Sequence, residues 1–147
     1  MSPLIPVLSA VLPAADPHSQ ANPQVVRSTH VTLDLTVRFE DKTIRGDAVL
    51  SLAYPQGESG AATLDLDTRG LTIESVTAAG RPLAFVLEAP VELLGQRLRI
   101  TLPGPRPKQV RIAYRTSPGA TALQWLEPRQ TTSGKLPFLF TQSESIH

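Results

Sequence analysis

The sequence has no cysteine among its 147 residues, which excludes a disulfide framework and any thiolate metal site. An excess of charge of one sign is also missing. Fourteen Lys and Arg stand against 13 Asp and Glu, for a formal net charge of +1, and no block of like charge occurs. Such a chain has no long-range field to recruit nucleic acid or an anionic membrane surface, and neither is expected as a partner. No apolar run approaches the roughly 20 residues of a membrane span. Catalytic motifs are absent too. His18, His30 and His147 lack the i, i+4 spacing that turns two imidazoles and an intervening glutamate toward one zinc ion. Gly-x-Ser-x-Gly does not occur, and the glycines never cluster ahead of a helix as a phosphate loop requires. By itself the chain is expected to be non-catalytic and to bind no metal or other cofactor.

The residues present are those of one folded domain. Hydrophobic residues make up 41% and charged residues 18%, enough apolar surface at this length for a single core. Proline is abundant, at 14 residues, yet residues 29–54 and 61–81 contain none, and regular strands are expected there. Residues 1–24 carry five prolines and no Lys or Arg. They read as a flexible Pro-rich tail, with a weak secretory signal as the alternative reading, although the basic leading region of such a signal is lacking. The folded domain is expected over 25–147, in the cytoplasm, with export to the periplasm as the alternative.

From residue 29 the pattern has period two. Val31, Leu33, Leu35, Val37 and Phe39 alternate with polar residues, which predicts a strand with one face buried and one wet. Asp41 and Lys42 turn the chain into a second strand, so residues 29–54 read as a long antiparallel hairpin, with Gly46 marking a bulge or a close backbone crossing. Further short alternating runs follow at about ten-residue intervals, including 63–68, 71–76, 83–87, 91–94, 98–102 and 110–114. Near the end, Phe138-Leu139-Phe140-Thr141 reads as a buried strand. The expected fold is all-β, a sandwich or saddle of mostly antiparallel sheets with about eight to ten strands. Trp125 is expected as a core anchor, Ser133-Gly134-Lys135 as a surface turn, and Asp65 and Asp67 as the wet face of a half-buried strand.

Three stretches carry a resemblance: Ala-Leu-Gln-Trp-Leu-x-Pro at 122–128, Ser-Gly-Lys at 133–135, and Pro-x-Leu-Phe-Thr-Gln-x-Glu-x-Ile-His at 137–147. Together with Leu-Asp-Leu-Asp-Thr-Arg-Gly-Leu-Thr-Ile at 64–73, they resemble the amino-terminal β domain of M1 zinc aminopeptidases, nearest the leukotriene A4 hydrolase branch. The resemblance implies a β saddle that forms one wall of a substrate cleft, with zinc held by a separate catalytic domain. It also implies roles for Gln142 and Glu144, which share one strand face by period. Glu144 would hold the free α-amino group of a peptide, and Gln142 would line the first specificity pocket. The nearest branch commonly has Gln where Glu144 stands. That departure favours recognition of peptide amino termini over epoxide hydrolysis. The alternative reading is a stand-alone β-sandwich module that binds a protein or peptide partner.

Overall fold

The computed structural model describes residues 16–55 and 59–142. The alternation that begins near residue 29 becomes β1 (Arg27–Arg38), which pairs antiparallel with β2 (Thr43–Ala53). Between them Lys42 turns the chain at φ 53. There follow β3 (Ala62–Thr68), β4 (Leu71–Ala78), β5 (Arg81–Pro82), β6 (Phe85–Leu87), β7 (Gln96–Leu102), β8 (Gln109–Thr116), β9 (Leu123–Leu126) and β10 (Phe138–Thr141). The strands form a five-stranded sheet in the order β1-β2-β8-β4-β5, a three-stranded sheet β3-β7-β6 and a two-stranded sheet β10-β9. All the pairings are antiparallel. The all-β expectation holds. Residues 91–94, expected as a strand, instead form a tight turn closed by a single bridge from Val91 to Gly95, with Leu93 at φ 69.

The two larger sheets close on one core. Leu50, Val76, Val110 and Ile112 of the first meet Leu64, Leu98, Ile100 and Leu102 of the second. Period two places these side chains on the inner faces, and each fully buried aliphatic contributes about 1.5–3 kcal/mol. Gly46 resolves as the close crossing. A β-carbon there would lie 2.0 Å from the carbonyl oxygen of Asp34, and the irregularity in the β1–β2 register falls instead between Ser28 and His30.

One expectation about β1 is overturned. All twelve of its residues are exposed, including Val31 at 49% and Leu33 at 55%. The register puts Val31 opposite Leu50 and Leu33 opposite Ala48, so the apolar residues do lie on the core side of the sheet. No β1 residue belongs to the core, however. The covering sheet has three strands against five, and the edge strand extends past it.

Residues 16–24, expected as part of a flexible tail, are docked. The Asn22 side chain brackets β3, its Nδ2 donating to the Thr63 carbonyl at 2.8 Å and its Oδ1 accepting from the Asp65 N–H at 3.0 Å. Ser19 Oγ and the Gln20 N–H both donate to the Asp67 carboxylate, at 2.6 and 2.8 Å. A short polar segment can attach by its side chains with no apolar period at all, and for that reason the sequence pattern missed it. Asp65 is likewise not wet. It is 5% exposed and accepts two bonds from Arg99, at 2.8 and 3.0 Å. Only Asp67 fits the expected solvent-facing role, and its carboxylate holds the docked segment.

Candidate functional site

The site suggested by the sequence lies on the β9–β10 hairpin. Phe138 pairs with Leu126, Leu139 with Trp125, Phe140 with Gln124 and Thr141 with Leu123. The ladder runs one step further, because the Gln142 N–H donates to the Ala122 carbonyl at 3.1 Å. By strand alternation Phe138, Phe140 and Gln142 share one face, and Leu139 lies on the other with Trp125 and Leu123. The expected buried strand at 138–141 is therefore a strand but not a buried one. Phe138 is 54% exposed and Phe140 45%, because a hairpin of two strands has only one side turned to the body of the protein. Glu144 lies outside the described residues.

Trp125 anchors the hairpin, but not from within the core. Its ring meets that of Phe39 edge to face, with centroids 5.6 Å apart at 87°. This geometry sets the positive ring edge of one aromatic against the negative face of the other. The Trp125 indole Nε1 is buried without a hydrogen-bond partner among the described residues. Beside the pair, Lys42 Nζ lies 2.9 Å from Glu127 Oε1 and ties the β1–β2 turn to the hairpin. Lys42 holds the Glu127 carboxyl below its ordinary range, chiefly by this hydrogen bond and then by charge. Glu127 opens a single 3-10 turn, Pro128–Gln130. Its N–H donates to Gln130 Oε1, and the Gln130 N–H returns a bond to its carbonyl, both at 2.8 Å. Thr131 Oγ1 then bonds the carbonyls of Pro128 and Leu136, at 2.8 and 3.0 Å, and Gly134 turns at φ 64, so 133–135 is the expected surface turn. A cavity of about 280 Å³ between the two hairpins is lined by Phe39, Lys42, Trp125, Glu127 and Pro137, among others.

Phe39, Lys42 and Glu127 were not legible as site residues. Phe39 continued the β1 alternation and the two charges had no pattern, so nothing local paired them with residues some 85 positions away. A larger hollow of about 410 Å³ opens at the end of the sandwich, where Asp16, His18, Arg69 and Leu123 converge. Among the described residues no group of three or more His, Cys, Asp or Glu could hold a metal ion. No helix of the described residues is long and apolar enough to cross a membrane.

The chain is 36% identical over 138 residues to leucine aminopeptidase 2 of Yarrowia lipolytica, covering 92% of this chain and 21% of that protein. It is 37% identical over 139 residues to leucine aminopeptidase 2-2 of Scheffersomyces stipitis, covering 94% and 22%. Among solved structures, yeast LTA4 hydrolase in complex with bestatin superposes with a TM-score of 0.81 at 34% identity, over 100% of this chain and 24% of that one. The chain is a homologue of the amino-terminal part of M1 aminopeptidases of the leukotriene A4 hydrolase branch. It spans about a fifth of the length of these curated relatives. No family model matches the sequence. The homology covers the hairpin that carries Trp125 and Gln142 as well as the sandwich behind it.

Proposed function

We propose that this chain is the non-catalytic amino-terminal β domain of an M1 zinc aminopeptidase, and that it supplies one wall of a cleft that recognises the free amino terminus of a peptide. The observation that carries the reading is the outward face of β10. Two half-exposed phenylalanines there lead directly to Gln142 on the same face. An apolar floor leading to an amide suits the first side chain of a peptide, and the resemblance assigns the peptide's ammonium group to the Glu144 carboxylate. Zinc and its activated water would belong to the catalytic domain in the remaining polypeptide of such an enzyme, and this chain would have no hydrolytic activity of its own. A cytoplasmic location fits this reading.

The test is made in the longer enzyme. A carboxylate meeting a substrate ammonium forms a charge-assisted bond of about 1.5–3 kcal/mol. Glu144→Ala should therefore lower kcat/KM for free-amine peptides by roughly 10- to 150-fold. Glu144→Gln should lose less, and amino-terminally acetylated substrates should be indifferent to either change. Gln142→Ala should instead alter the preference among first side chains. Unchanged kcat/KM for free-amine peptides in Glu144→Ala would refute the assignment.

A second reading, a stand-alone interaction module, draws on the same exposed Phe138 and Phe140. A downstream reading frame encoding His-Glu-x-x-His separates the two: its presence supports the enzyme domain and its absence the module.

A further inference from the structure

An apolar stripe on β1 lies outside the outward face of the β9–β10 hairpin. Val31, Leu33, Leu35 and Val37 are 49%, 55%, 38% and 41% exposed, and Phe39 at the end of the strand is 37% exposed. These residues alternate onto one face, and their cross-strand neighbours on that face are Leu50, Ala48, Gly46 and Ile44. Leu50 belongs to the core. The stripe is therefore not an isolated surface patch but the uncovered margin of the core layer itself, without a charged residue along it. A strand of 12 residues with half-exposed aliphatics at every second position is a strong liability for association in a free domain. Among the described residues β1 pairs with β2 alone, so its outer edge is open as well.

We propose that this stripe is the seat of the polypeptide that follows residue 147 in the longer enzyme, which lays an apolar face along β1 and completes the core layer. The inference rests on the reading of the chain as one domain of such an enzyme. Three observations select that occupant over a second copy or a foreign partner. The relatives extend about five times the length of this chain, so a large polypeptide is available to cover the stripe. The last described residue, Gln142, also follows β10 on the hairpin whose Trp125 packs against Phe39 at the end of the stripe. Finally, the stripe lies on the core side of its sheet, with Val31 opposite the core residue Leu50, so whatever covers it must match a sandwich interior, as a covalently connected layer does.

Cysteine protection provides the test, and the absence of native cysteine from residues 1–147 makes it specific there. Leu33→Cys and Val31→Cys report the stripe, and Thr32→Cys reports the opposite face of the same strand. Maleimide labelling of each site is followed by peptide mass spectrometry in the 147-residue chain and in the longer enzyme. The expected result is rapid labelling of all three in the 147-residue chain. In the longer enzyme Leu33→Cys and Val31→Cys should be slowed about tenfold or more while Thr32→Cys is unchanged, since a covered site labels only through local opening. Equal labelling of Thr32→Cys and Leu33→Cys in an active longer enzyme overturns the proposal while leaving the aminopeptidase reading intact. Protection in a longer polypeptide without aminopeptidase activity has the opposite meaning. Concentration-dependent protection within the 147-residue chain alone assigns the stripe to a second copy and also overturns the proposal, as does a reading frame that ends at His147.

Discussion

The backbone carbonyl of Asp34 occupies the space in which Gly46 would carry a side chain, 2.0 Å from the position of a β-carbon. Leu35, paired directly across from Gly46, is the next obstacle, with its Cα 2.9 Å from the same point. Both are backbone atoms of the neighbouring strand, which cannot swing away as a flexible side chain would. Gly46→Ala should therefore force β1 off β2 locally and cost about 1–3 kcal/mol or more. For a domain of this size that is a fall in Tm of several degrees, measurable by circular dichroism.

Asn22→Ala should be nearly as damaging, although the residue lies in a segment with no hydrophobic pattern. The change leaves the Asp65 N–H and the Thr63 carbonyl without their side-chain partner. Stranding a buried donor or acceptor costs about 1–3 kcal/mol. Deleting residues 16–24 should lower Tm at least as far, and an unchanged melting curve would show that the segment contributes nothing to the sheet.

The Lys42–Glu127 bridge gives the hairpin a pH dependence of known sign. The Glu127 carboxyl is held below its ordinary range by Lys42, so its contribution is complete above the unfolded-state value and is lost as pH falls through the lower, folded one. Acid titration from neutral pH should loosen the β9–β10 hairpin in that window, and Glu127→Gln should remove this component. Trp125 fluorescence reads the change without a label, because the chain has one Trp. Added salt should weaken the bridge at neutral pH, as both side chains are about half exposed.

Phe39→Ala should shift the Trp125 emission to longer wavelength by admitting water to the ring it now meets edge to face. Aromatic pairs of this kind contribute about 0.5–1.5 kcal/mol beyond their buried area. Phe39→Leu should restore part of the apolar contact but not the ring geometry, giving an intermediate spectrum.

What the sequence revealed and what it concealed follow from the range of the interactions. The β1–β2 hairpin, the Gly134 turn and the alternation of Leu64 and Leu66 were legible because period two and turn chemistry act over a few residues. The exposure of Leu33 was not, because alternation names the face of a strand and not the width of the sheet that covers it. Phe138 and Phe140 misled for the same reason. Asn22 and Ser19 were missed because hydrogen bonding to a distant strand has no period. The pairing of Lys42 with Glu127 joins residues close only in the folded chain. For the site, period two placed Gln142 on the face of Phe138 and Phe140, and Glu144 lies outside the described residues. The contacts that seat the hairpin on the β1–β2 turn, from Phe39 to Trp125 and from Lys42 to Glu127, came only from the tertiary structure.

Asp65 and Arg99 face each other across β3 and β7, joined by two hydrogen bonds, and Arg97 and Arg99 share the Glu88 carboxylate, at 2.6 and 3.1 Å. Replacing such a group with a well-packed aliphatic pair could leave a sheet equally stable. The arrangement discriminates instead. A slip of one residue between β3 and β7 would turn one strand's charged side chains toward Ile100 and Leu64, and would separate a nearly buried carboxylate from the guanidinium that matches it. The ionic group therefore works as a registration key for the sheet: it penalises every alignment of β3 and β7 but one, and so fixes the position of the layer against which the larger sheet closes.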